Sequence, residues 1–191
     1  MSKIMRLALG KDSQAILNIY RRYIRETAIT FEIEVPTTYD FGCRIAGIAK
    51  KYPFIVYQIN DEIVGYAYAS EHMERAAYRF DVDVSIYVSP QYHASGIAYK
   101  LYNALFSILK DLGYVNAYAG ITIPNEKSFK FHDKYGFKLI GTYPKTGYKF
   151  NSWHDVSWLG KTINKHVEIS SPLMLISELP DARLMEIFTD V

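Results

Sequence analysis

A chain of 191 residues, 49% hydrophobic and 22% charged, suits one globular domain with one substantial core, and its 11 glycines and 7 prolines exclude a disordered or fibrous chain. Lysine and arginine total 22 against 20 acidic residues, so a net charge of +2 offers nucleic acid or an anionic membrane no electrostatic hold, and neither is an expected partner. Cys43 is the only cysteine, which leaves no internal disulfide or cysteine-built zinc cage and suits a cytoplasmic setting; the first residues turn polar too soon for a signal peptide, and no apolar run reaches membrane-spanning length.

Residues 4–9 form an apolar run that reads as a strand, followed by Asp12 and Ser13 as capping candidates and by Ile16, Ile19, Tyr20 and Tyr23 at helical spacing. A second helix is expected over 38–50, opening after Pro36 and stopping before Pro53. Runs 54–59 and 63–70 read as a hairpin joined through Asn60, Asp61 and Glu62. From Phe80 to Val88 apolar and polar residues alternate with the period of a strand. A helix opens at Gly96, carries Ile97, Leu101, Leu105, Ile108 and Leu112 as one stripe, and ends at Gly113. A strand over 115–121, a short helix over 125–135, and strands over 137–150 and 153–159 joined by Asn151 and Ser152 complete the series. The order β-α-α-β-β-β-α-β-α-β-β predicts an α/β (α+β) domain over residues 1–163, a mixed sheet of about seven strands with helices on both faces. Residues 164–191 lie outside this plan; they are apolar enough to dock, on this subunit or on a neighbour.

The strand ending at Val88, the loop 89–95 and the helix start near Gly96 aim several backbone N–H groups and the positive end of a helix dipole at one spot. Ala94, Ser95, Gly96 and Ala98 keep that spot free of bulk. An anion site and a plain glycine turn account for the loop equally well. The loop has no Gly-Lys-Ser/Thr of a nucleotide-triphosphate site and no three-glycine dinucleotide fingerprint, so an anion here would be a diphosphate held by backbone groups without metal.

The run His93-Ala-Ser-Gly-Ile-Ala98 resembles the Gln/Arg-x-x-Gly-x-Gly/Ala signature of the GNAT acetyltransferases, and it stands between the strand and helix usual there. Phe31 to Glu34, Tyr57 to Ala69, Tyr87 to Ser89, Ile123 to Asn125, Gly147 to Lys149 and Trp153 to Val156 resemble, in matching order, the phosphinothricin acetyltransferase branch. The likeness covers about residues 3–162. His93 and Ala98 replace the commoner Gln/Arg and Gly.

The resemblance implies a GNAT fold, acetyl-CoA as co-substrate without a metal, a small primary amine as acceptor, and a homodimer. It places acetyl-CoA on Ile86, Tyr87, Val88, His93, Ala94, Ser95, Gly96, Ile97, Ala98 and Tyr99, and on Asn125, Ser128 and His132, which are spaced along one face of the short helix. It makes Asp83 the base for the acceptor ammonium, directly or through water, since Asp is shorter than the glutamate usual there; a structural ion pair with Arg79 or another cation is the competing reading. It makes the N–H of Val88, at a bulged strand end, the oxyanion donor, and His132 a CoA contact and candidate acid toward the leaving thiolate. It puts Arg75 and Tyr78 on the acceptor carboxylate, with Phe31 and Glu34 as the opposite wall.

Other chemistries have less support. Histidines 72, 93, 132, 154 and 166 make no close metal-binding pair. His154 and Asp155 lack a nucleophile-elbow serine, and the 17 tyrosines without a basic patch read as core and interface. Cys43 falls in no matching motif, so transfer without an acetyl-enzyme is expected. A non-catalytic acyl-CoA-binding module and a protein N-terminal or lysine acetyltransferase are the alternative functions.

Overall fold

The computed structural model describes residues 2–166 and 172–190. Strands β1 (Lys3–Leu7), β2 (Phe54–Ile59), β3 (Glu62–Glu71), β4 (Asp81–Val88), β5 (Asn116–Ile123), β6 (Lys138–Lys149) and β7 (Ser152–Thr162) form one sheet in the order β1-β2-β3-β4-β5-β7-β6. Neighbours are antiparallel except for β4 and β5, the single parallel pair. Helices α1 (Ser13–Glu26) and α2 (Thr38–Ala49) cover one face, and α3 (Ile97–Leu112) and α5 (Asp181–Thr189) the other, with α4 (Glu126–Lys134) between β5 and β6.

The alternation of side chains across a strand divides the core in two. Phe54 and Val56 of β2 and Ile63 and Tyr66 of β3 meet Ile16, Leu17, Tyr20 and Ile24 of α1 and Phe41 and Ile45 of α2. On the other face Ile55, Val64, Ala67, Val82 and Val84 meet the predicted α3 stripe, whose five members are all at most 4% exposed. Each such side chain contributes about 1.5–3 kcal/mol as an upper estimate, which fixes α3 and hence the loop before it on the sheet.

Several local expectations change. Asp12 does not cap α1: its carboxylate accepts from Leu9 N at 2.7 Å and pairs with Arg6, while Thr37 caps α2 by accepting from Asp40 N. The β6–β7 turn sits one residue earlier than predicted, with Phe150 (φ 51°) and Asn151 (φ 57°) both left-handed, the conformation a two-residue hairpin loop needs. The β3–β4 register runs unbroken to Gly65↔Val88, so β4 has no bulge at its end; the irregularity lies between β2 and β3, at Tyr57/Gln58.

The C-terminal segment docks on its own chain. Ile176, Leu179, Leu184 and Ile187 are buried in the α3-side core, Met174 N donates to Leu112 O, and Arg183 Nε pairs with Asp111 at 2.7 Å. At the opposite end of the sheet, edge strand β6 and its turn into β7 leave Leu139, Ile140, Tyr143, Tyr148, Phe150 and Trp153 exposed. Among the described residues no helix is long and apolar enough to cross a membrane, and no cluster of metal-ligating side chains occurs.

Candidate active site

Strands β4 and β5 pair at only three positions, Asp81↔Asn116, Val82↔Ala117 and Asp83↔Tyr118, and then part. Hydrogen bonding along an antiparallel strand alternates in direction. Ser89 N donates to Val64 O at 2.8 Å, so the odd-numbered residues of β4 bond to β3 and the even-numbered ones face β5. Past the last pair, Ile86 and Val88 therefore turn their N–H groups into the gap between the strands. Tyr87, expected on the cofactor, is turned away: its backbone belongs to the β3 ladder and its ring packs edge-on against Tyr20 and Tyr23 of α1.

The gap leads to the loop before α3. Ala94 (φ 59°) and Gly96 (φ 83°) both take the left-handed conformation that folds successive N–H groups into a concave nest, and glycine alone adopts it without strain. No backbone N–H from Ala94 to Tyr99 has an acceptor among the described residues; the first helical bond of α3 is Lys100 N to Gly96 O. Six consecutive N–H groups at the start of α3 are thus left without an acceptor among the described residues. His93 does not join them. Its own N–H goes to Pro90 O, and its Nε2 lies 3.0 Å from Val88 O and 3.2 Å from Tyr23 Oη. Tyr23 also donates its hydroxyl to Val88 O at 2.6 Å, a contact between segments 65 residues apart that no local pattern signals.

On α4, Asn125 caps the helix by accepting from Ser128 N at 3.2 Å. His132 does lie on the same face, but that face points inward, and the ring is 4% exposed among Tyr102, Phe131 and Phe137. Its Nδ1 lies 2.8 Å from Ser128 O, which can only accept, so Nδ1 carries the proton; Nε2 then accepts from Tyr102 Oη at 2.9 Å. Burial pushes the imidazole below its ordinary range, against the hydrogen bond to Ser128. Both nitrogens are engaged within the chain, so the expected contact with CoA and the expected proton for sulfur are not available from this arrangement.

The other side of the split holds Asp83, on the sheet face that carries α1 and α2. Its partner is His72, just past the end of β3, with Nδ1 2.7 Å from Oδ1; Arg79 instead bonds Ala76 O and lies over Phe80. Burial pushes the Asp83 carboxyl upward, and the hydrogen bond from His72 pulls it back. The His72 ring stacks on Tyr118 at 4.3 Å and meets Tyr78 and Trp158 edge-on. The Trp158 indole N–H is buried with no partner among the described residues. Arg75 and Tyr78 lie on the short turn before β4, both exposed, and Tyr78 is the one that reaches the His72 ring. Phe31 comes from the α1–α2 loop and lies so flat on Gly147 that a Cβ there would fall 2.1 Å from its ring; Lys149 Nζ donates to Thr30 O from the same hairpin. Glu34 is exposed on that loop, while Glu32, its neighbour, pairs with Arg44 and accepts from Tyr20. His72, Tyr118 and Trp158 are the members that sequence reasoning missed.

Residues 5–158 match the profile of the acetyltransferase (GNAT) domain. A phosphinothricin N-acetyltransferase of Streptomyces coelicolor is 34% identical over 158 residues, 81% of this chain and 92% of the relative. An L-methionine sulfoximine/L-methionine sulfone acetyltransferase of Salmonella typhimurium is 28% identical over 166 residues, 85% of this chain and 95% of the relative. Among solved structures, a GNAT superfamily phosphinothricin acetyltransferase from Sinorhizobium meliloti in complex with AcCoA aligns with a TM-score of 0.84 at 29% identity, over 94% of this chain and 98% of its own. A parallel pair that opens beside a nest of free N–H groups, with a half-buried carboxylate where the strands part, accompanies this match along most of the sequence: the chain belongs to the GNAT acetyltransferase family.

Proposed function

We propose that this chain transfers the acetyl group of acetyl-CoA to the primary amine of a small amino-acid-like acceptor, of the phosphinothricin or methionine sulfone/sulfoximine type, by direct attack in a ternary complex. The observation that carries the reading is the split between β4 and β5, which opens at one end on the free N–H groups before α3 and is closed at the other by Asp83. The pyrophosphate of acetyl-CoA lies on the N–H groups of Ala94, Ser95, Gly96, Ile97, Ala98 and Tyr99. Its extended arm bonds Ile86 in the gap, and the uncommitted atoms of Asn125 and Ser128 border it. The N–H of Val88 takes the charge that develops on the thioester oxygen as nitrogen attacks.

Asp83 removes the proton that makes the acceptor an ammonium, directly or through one water. The amine then attacks the acetyl carbon, the C–S bond breaks, and the second nitrogen proton is released as the thiolate gains one from solvent. Arg75 and Tyr78 hold the acceptor carboxylate, with Phe31 and Glu34 on the facing loop. Cys43 is exposed on α2, and no acetyl-enzyme is required. The exposed apolar edge at β6 supports a homodimer, which light scattering of the full chain would test.

An acceptor screen with acetyl-CoA, reading thiol release, tests the reading. Turnover of phosphinothricin, methionine sulfone or methionine sulfoximine is expected. Acetylation of peptide N-termini or lysines in their place would favour a protein acetyltransferase, and binding of acetyl-CoA with no thiol release from any amine would favour a non-catalytic module.

A further inference from the structure

Asp83 has one oxygen committed and one free. Oδ1 faces His72 Nδ1 at 2.7 Å, and Oδ2 has no hydrogen-bond partner among the described residues. The register explains why His72 can do this. Ser70 is opposite Asp83, so the residue two steps further along β3 lies on the same face, just beyond the ladder, and its ring turns back to the carboxylate. That ring is locked in place, stacked on Tyr118, the β5 residue paired with Asp83 where the strands part, and bordered edge-on by Tyr78 and Trp158. Its Nε2 has no partner among the described residues, and the side chain is 13% exposed. Asp81, the next carboxylate on that face, is held by Asn116 Nδ2 at 2.8 Å and does not compete.

We infer that His72 is a positioning residue for the reaction: by donating from Nδ1 to Oδ1 it keeps Asp83 ionised and turned so that Oδ2 receives the acceptor proton. The inference rests on the acetyltransferase reading above and on Asp83 as its base. A guanidinium in this place would hold the carboxylate by two strong charged bonds and leave a feeble base. An imidazole N–H is a single donor. It offsets the burial of the carboxylate without consuming both of its oxygens, which is what a base in a half-buried cleft requires.

The test is steady-state kinetics of the full chain across pH, using the acceptor found in the screen, for His72→Phe, His72→Asn and Asp83→Asn. Phenylalanine keeps the stack on Tyr118 and removes the donor; asparagine keeps a donor near the Nδ1 position. His72→Phe should lower kcat/KM about ten- to hundredfold near neutrality with the KM for acetyl-CoA unchanged. Its acid limb should move to higher pH, because a carboxylate without its donor holds a proton more readily, and the rate should approach wild type at high pH. His72→Asn should recover most of the loss. The other titratable groups near Asp83 are Tyr68 from β3 and Tyr118 from β5, with Tyr78 from the turn reaching only the His72 ring. Burial holds Tyr68 and Tyr118 above the usual tyrosine range, so neither titrates on the acid side.

An acid limb that stays in place in His72→Phe, with Asp83→Asn inactive, overturns the role of His72 alone. So does a His72→Asn enzyme as impaired as His72→Phe at every pH. An Asp83→Asn enzyme with unchanged kcat/KM and pH profile removes the base assignment and this inference with it, and a wild-type chain that acetylates no amine removes the acetyltransferase reading itself.

Discussion

Tyr102→Phe separates a packed histidine from a reactive one. Tyr102 is fully buried, and its hydroxyl is the donor to His132 Nε2, a lone pair that faces no solvent in a ring 4% exposed. Removing that oxygen keeps the aromatic packing against Phe106 and Phe131 and strands a buried acceptor. The cost of such an orphan is about 1–3 kcal/mol, and in a chain of this size each kcal/mol lowers Tm by roughly 2–4 °C, so a fall of about 2–12 °C is expected. Calorimetry reads that number, and steady-state kinetics with acetyl-CoA should find kcat and both KM values near wild type. His132 also predicts a pH signature. Its folded pKa lies below its ordinary value of 6.5, so the unfolded chain binds the extra proton. The associated stability is complete above 6.5, declines as pH falls below it, and is fully lost once pH has passed the folded value. His132→Phe should flatten that decline. A Tyr102→Phe enzyme with unchanged Tm and a kcat reduced more than about tenfold would refute the reasoning, because the pair would then serve the chemistry rather than the packing.

Three further perturbations have defined outcomes. Gly96→Val places a branched side chain at φ 83° beside the six free N–H groups, and should raise the KM for acetyl-CoA about tenfold or more with little change in that of the amine, measured by varying each substrate. Gly147→Ala drives a Cβ into the ring of Phe31 and displaces the α1–α2 loop; amine KM should rise severalfold while acetyl-CoA KM holds, and equal effects on both would argue against that loop as an acceptor wall. Ending the chain at Lys165 strips Ile176, Leu179, Leu184 and Ile187 from the α3 face, worth roughly 6–12 kcal/mol as an upper estimate, and should leave an aggregating or unfolded product by circular dichroism and size-exclusion chromatography.

What the sequence disclosed follows the range of the interactions involved. β4 and α3 were legible because each carries one periodic face, and the burial of Val82, Val84 and the Ile97 to Leu112 stripe is that period made solid. The nest before α3 was legible because small residues and one glycine in a row have a local backbone meaning. The parting of β4 from β5 was not, since it depends on register between distant segments. Neither was the direction of the α4 face: the spacing of Asn125, Ser128 and His132 puts them in line, but only Tyr102 from α3 determines that the line points inward. A signal for His72 was present. Pairing the two predicted strands on either side of residues 71–79 brings the residue just after the first near the start of the second, where Asp83 lies. The turn at Phe150 left no comparable trace, because a phenylalanine in left-handed conformation is contrary to local preference and is imposed by the hairpin.

The placement of Trp158 has a spectroscopic consequence. Of the chain's two tryptophans, both on β7, Trp153 is largely exposed, and Trp158 is set 6.0 Å from the ring of His72 with its indole N–H unpaired among the described residues. The 17 tyrosines fall silent under excitation at the red edge of the indole band, so the emission that remains comes from one solvated fluorophore and one beside the histidine that pairs with Asp83. A Trp153→Phe variant would leave a single intrinsic probe beside His72, whose intensity should change when an amine enters the proposed acceptor site, without any label attached.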